Sequence, residues 1–130
     1  MKNSMRGLNL LVVDDQVDLL ETLGSWFEGY GAKIFTASNG IAAFEIINSQ
    51  RVDIVLSDIR MPKSDGVHLL KLVGGLTSTK PKMIMMTGFT DISDQDLVKL
   101  GAVAVIQKPF IAEEILKIFD THFAKRKNAS

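Results

Sequence analysis

Several short apolar runs in this chain each end on residues that can do chemistry. LNLLVV runs into Asp14-Asp15, DIVL into Ser57-Asp58, MIMM into Thr87-Gly88, and AVAVIQ into Lys108-Pro109. Taken singly, each has a dull reading, because strands commonly end at polar and turn-forming residues. Taken together they offer three carboxylates (Asp14, Asp15 and Asp58), a hydroxyl and an ammonium. Carboxylates brought close repel, and some are forced to protonate unless a cation joins them. Lys108 supplies one positive charge, which leaves the set anionic. A hard divalent ion is the natural complement. Mg²⁺ suits best, because it takes few protein ligands and keeps waters that a phosphoryl oxygen can replace. A carboxylate held beside it can attack phosphorus and become an aspartyl phosphate. Phosphoryl transfer asks mainly for positioning and for neutralisation of the equatorial oxygens. The metal, Lys108 and the Thr87 hydroxyl can supply these, and Gly88 leaves room beside the transferred group.

Such a convergence requires elements that share one edge. The runs Leu8–Val13, Ile34–Thr36, Ile54–Leu56, Met83–Met86 and Val103–Ile106 have strand length and little polar alternation, as in a parallel sheet covered on both faces. Stretches with helical spacing lie between them. Leu20, Leu23, Phe27 and Tyr30 step by three, four and three, with Gly31 as the C-cap. Asn39 or Ser38 caps a helix carrying Ile41, Phe44 and Ile47. Val67 to Leu76 follows Gly66, and Asp91 to Leu100 ends at Gly101. The last helix places Ile115, Leu116, Phe119 and Phe123 on one side. The pattern is βα repeated five times, which predicts an α/β doubly wound parallel sheet. All strand C-termini of such a sheet lie on one edge, and ligands bind there, where the strand order reverses.

Composition sets the outer bounds. The chain has 130 residues, 46% apolar and 23% charged, as expected of one globular domain spanning 1–130. Its core is expected over about 8–123, with polar, frayed termini at 1–7 and 124–130. Cysteine is absent, so disulfides and thiolate metal sites are excluded. The 15 basic and 15 acidic residues cancel, and no broad electrostatic footprint for nucleic acid is implied. The apolar part of the N-terminal segment is too short and too acidic for a secretory signal, and no run approaches a membrane span. A soluble cytoplasmic domain without membrane contact is the expectation. Met83, Met85 and Met86 read as core, Trp26 as semi-exposed packing, and His68 and His122 as ordinary helix residues. The stretch from Gly74 to Lys80 reads as a loop rather than a phosphate cradle, because it does not open a helix after a strand.

The same residues match a known family. LVVDD, DIVLSDIRMPKSDG, MMTG and QKPF, in this order and spacing, resemble the receiver domain of two-component response regulators across roughly Leu8 to Phe123. The resemblance implies a flavodoxin-like (βα)₅ fold with strand order 2-1-3-4-5. It makes Asp58 the aspartate phosphorylated by a sensor histidine kinase or histidine phosphotransfer protein. Asp15 would then bind Mg²⁺ directly, Asp14 largely through water, and Arg60 through its backbone carbonyl. Thr87 would follow the phosphoryl group on activation, with Lys108 pairing with it. Trans is the default for an X–Pro bond, about 5–6% being cis in folded proteins; the resemblance implies cis for Lys108–Pro109.

One position departs from the family's pattern. Three residues before the lysine, where receivers commonly carry Tyr or Phe, stands Val105. Phosphorylation does not need the ring, but the familiar aromatic readout does. Phe89, two beyond Thr87, puts a bulky apolar group where many receivers have a polar one, and is expected to restrain water attack on the phosphoryl group. Rival readings fit less well. A Mg²⁺-dependent aspartyl-phosphate phosphohydrolase would carry a second acid two residues after its strand-one nucleophile, where Gln16 and Val17 stand. A flavodoxin would carry a Ser/Thr/Gly-rich phosphate loop in place of DDQVD. A phosphorylation-independent scaffold would not need an intact acidic set with Thr87 and Lys108. The expectation is a phosphorylation-driven switch whose moving parts are the loop after Thr87 and the helix following it. It catalyses only its own phosphorylation and dephosphorylation. No output domain fits within 130 residues, so the chain reads as a stand-alone relay or as part of a longer regulator with an unknown downstream effector. Homodimerisation through the face of the fourth and fifth helices is compatible with the sequence.

Overall fold

The computed structural model describes residues 5–61, 65–88 and 92–129, side chains beyond His122 excepted. Strands and helices alternate along the chain: β1 (Asn9–Val13), α1 (Val17–Glu28), β2 (Lys33–Ala37), α2 (Gly40–Ser49), β3 (Ile54–Asp58), α3 (Gly66–Gly74), β4 (Lys82–Thr87), α4 (Asp94–Lys99), β5 (Ala102–Gln107) and α5 (Ala112–Ala129). The five strands form one parallel sheet in the order β2-β1-β3-β4-β5. This is the flavodoxin-like (βα)₅ arrangement, and the strand order reverses between β1 and β3.

The central strands β1, β3 and β4 are buried on both faces, the edge strands β2 and β5 only in part, and alternate residues feed two separate cores. Leu10, Val12, Ile54, Leu56, Ile84 and Met86 pack with Leu20, Leu23 and Phe27 of α1 and Ile115, Leu116 and Phe119 of α5. The intervening Leu11, Val13, Val55, Met83 and Met85 pack with Ala43 of α2, Leu69, Leu70 and Val73 of α3, and Leu97 of α4. Burying each such large side chain contributes about 1.5–3 kcal/mol. The methionine run is therefore core, as its composition suggested. Trp26 is semi-exposed at 36% and meets Phe27 edge to face.

Helix ends differ in detail from the sequence reading. α1 stops at Glu28 with Gly29 as its cap, and Tyr30 and Gly31 form the turn beyond it, with φ of 99° at Gly31. Asn39 caps α2 by accepting from the Ala42 N–H at 2.8 Å. The core also begins earlier than expected. Met5, inside the stretch expected to fray, is 1% exposed and donates its N–H to Tyr30 O at 2.9 Å. The start of α4 lies at Asp94, capped by Ser93; Asp91 and Phe89 fall outside the described residues.

Candidate functional site

Register brings the chemistry-bearing residues together. Val13 pairs with Ser57, so Asp14 and Asp58 come next on adjacent strands. Asp58 in turn pairs with Met86, and Thr87 pairs with Gln107, the residue before Lys108. The Lys108 N–H donates to Thr87 O at 2.7 Å, which ties the ends of β4 and β5 at the same level. One oxygen ligand from each of Asp14, Asp15 and Asp58 lies within 4.8 Å of the others.

The three carboxylates sit in different surroundings. Asp14 is fully buried and both its oxygens are engaged: Oδ1 accepts from the Gln16 N–H at 2.9 Å, Oδ2 from Lys108 Nζ at 3.0 Å. Asp15 is exposed. Asp58 is partly buried, with its Oδ1 accepting from the Ile59 N–H at 2.9 Å and standing 3.4 Å from Lys108 Nζ. Lys108 therefore spans Asp14 and Asp58. Burial pushes the Asp58 carboxyl above the ordinary carboxylate range, and the neighbouring Asp14 adds to this. The Lys108 ammonium and the Ile59 N–H pull the other way without cancelling it.

The remaining residues cluster around these. Thr87 is buried at the end of β4, and a Cβ built on Gly88 meets open space. Arg60 is exposed and lies one residue beyond Ile59. The Lys108–Pro109 bond is cis. Lys108 and Pro109 also line an apolar cleft of about 410 Å³ with Gln16, Leu19, Leu23, Trp26 and Phe110. Val105 is part-buried and packs on the α2–α4 side of the sheet opposite Met85.

Sequence reasoning missed what holds the carboxylates. The Gln16 and Ile59 N–H groups are backbone donors, invisible in residue types. Gly66, whose N–H donates to Ile59 O at 2.7 Å, was read only as the residue before a helix. The Asp65-Gly66 pair was a usable signal, since a capping residue followed at once by glycine marks a helix start where another backbone comes close.

The donor set fits a hard divalent cation: three carboxylates in oxygen-ligand range of one another, with a single lysine that leaves the set anionic. Comparisons with known proteins agree with the fold. The family model of the response regulator receiver domain matches residues 10–120. The chain is 33% identical to sporulation initiation phosphotransferase F of Bacillus subtilis over 85% of its own length and 90% of that protein. It is 32% identical to transcriptional regulatory protein ZraR of Klebsiella oxytoca over 78% of its length, but spans only 23% of that protein. A crystal structure of a response regulator receiver domain protein from Clostridium thermocellum superposes with a TM-score of 0.82 at 25% identity, covering 95% of this chain and 99% of that one. With the family model and these relatives in agreement with the fold, the chain belongs to the response regulator receiver domains, the signalling domains of two-component phosphorelays.

Proposed function

We propose that the chain is a phosphorylation-driven switch in which Asp58 is the phosphoacceptor. The observation that carries this reading is the cluster of three carboxylates at the sheet edge, two of them paired with one lysine. In the reaction, an Asp58 oxygen attacks the phosphorus of a phosphohistidine on a sensor kinase or phosphotransfer protein. The new P–O bond forms as the P–N bond breaks, and the departing imidazole takes up a proton.

Asp15, Asp58 and the Arg60 backbone carbonyl would hold Mg²⁺, with Asp14 acting mainly through water because both its oxygens already have protein partners. When bound, the ion neutralises phosphoryl oxygens. Lys108 supplies a further positive charge, 3.4 Å from Asp58 Oδ1. The Ile59 N–H keeps the Asp58 carboxylate oriented. Thr87, at the end of β4, would donate its hydroxyl to the transferred group. That contact would shift the balance between two conformations. α4 suits this role: it spans only Asp94–Lys99, and Leu97 is its one fully buried residue. With Val105 in place of an aromatic ring, the readout runs through α4 and its flanking loops rather than through a rotating ring on β5.

Incubation with acetyl phosphate, followed by intact-protein mass, tests the reading. Wild type should gain one phosphoryl group only with Mg²⁺ present, and Asp58→Asn should gain none. Absence of any gain in wild type would leave a scaffold that ignores phosphate.

A further inference from the structure

The start of α3 approaches the phosphoacceptor strand more closely than any side chain would permit. A methyl group built on Gly66 would overlap the Asp58 carbonyl oxygen, and would lie 3.0 Å from Ile59 Cα and 2.9 Å from Met85 Cε. Two of these three atoms are backbone, so they cannot swing aside as a flexible side chain would. The Gly66 N–H also donates to Ile59 O at 2.7 Å. The preceding peptide completes a relay: the Ile59 N–H donates to Asp58 Oδ1 at 2.9 Å. One residue, Ile59, is thus gripped by α3 at its carbonyl and grips the Asp58 carboxylate at its N–H. α3 itself is anchored by Asp65, whose side chain accepts from the His68 N–H at 2.9 Å.

We infer that Gly66 is a positioning residue for the phosphoacceptor: its lack of a Cβ and its N–H fix the Ile59 peptides, and through them the Asp58 carboxylate and the adjacent Arg60 carbonyl. This rests on the reading of Asp58 as phosphoacceptor and names the residue that aims it. Gly66 touches neither phosphate nor metal. Adding one methyl there pushes the end of β3 aside and misplaces two proposed metal donors at once. A displacement of about 1 Å in a positioned group costs on the order of a hundredfold in rate.

The test compares Gly66→Ala with Gly74→Ala. Both glycines lie in α3, but a Cβ on Gly74 meets nothing within 4 Å. Two quantities are read well below the melting temperature. One is the Mg²⁺ dissociation constant of the unphosphorylated protein, by titration calorimetry. The other is the rate of phosphoryl gain from acetyl phosphate, by mass. Gly66→Ala should weaken Mg²⁺ binding by about tenfold or more and slow phosphorylation by at least as much. Gly74→Ala should leave both unchanged. A role confined to stability would lower the melting temperature of Gly66→Ala and move neither quantity, which would overturn the inference. If Gly66→Ala fails to fold, Asp65→Ala decides: it releases the α3 cap without adding atoms. It should shift both quantities in the same direction, and no shift would again overturn the inference. If wild type itself gains no phosphoryl group, the reading of Asp58 fails instead, and the calorimetric comparison still reports whether Gly66 positions the carboxylates.

Discussion

Asp58 shows how a single residue can be costly in one state and useful in another. Burial holds its carboxyl above the ordinary value despite Lys108. The folded protein therefore binds that proton more tightly than the unfolded chain does. Stability of the metal-free protein should fall as pH rises from the unfolded carboxyl's pKa of about 3.9 through the raised folded value, then level off. In EDTA at neutral pH, Asp58→Asn should melt a few degrees above wild type, with the gain shrinking as pH drops toward 4. Added Mg²⁺ should reverse the order, because a ligand that binds only the folded state stabilises it. Thermal melts of both proteins with EDTA or Mg²⁺, at several pH values, check this. A wild type that melts above Asp58→Asn in EDTA would contradict the burial argument. Lys108 could be read from the sequence as the site's cation, but its tighter contact with Asp14 than with Asp58 could not. That preference depends on Asp14 lying wholly inside while Asp58 sits at the mouth.

Elements were legible where period and punctuation agreed. Each strand run is largely apolar with little polar alternation, and the stretches between them show helical spacing, so the alternation of five strands and five helices followed directly. Boundaries were less legible. The sequence placed the end of α1 at Gly31 because Tyr30 continues the apolar spacing, whereas the helix closes two residues earlier and Tyr30 packs from the turn. Met5 looked like part of a polar tail, since one apolar residue among polar neighbours carries no periodic signal. Gly101 was read correctly as a stop signal after α4, and its φ of 117° explains why glycine stands there. Gly101→Ala should cost about 1–2 kcal/mol, lowering the melting temperature by roughly 4–7 °C for a domain of this size. Calorimetry would detect this readily. A fall of less than one degree would mean that the turn relaxes to a conformation alanine accepts.

Across the whole molecule, the sheet does the assembling. Parallel strands send all their C-termini to one edge, and the registers Val13–Ser57, Asp58–Met86 and Thr87–Gln107 level the strand ends. Residues as distant in sequence as Asp14 and Lys108 then meet at 3.0 Å. The gathering of the acids, the threonine and the lysine could be read from strand ends alone, because topology requires it. The bracing beneath them could not, because it consists of backbone N–H groups and one missing methyl at Gly66. No helix among the described residues is long and apolar enough to cross a membrane. The central claim is that this assembled edge directs a phosphoryl group to one carboxylate among three neighbours. Phosphorylation with acetyl phosphate and Mg²⁺, followed by borohydride reduction and peptide mass mapping, tests that most directly. An acyl phosphate is reduced to an alcohol, so the account predicts homoserine at position 58 and unaltered aspartate at 14 and 15. Homoserine at 14 or 15, or at none of the three in protein that has gained the phosphoryl mass, would contradict it.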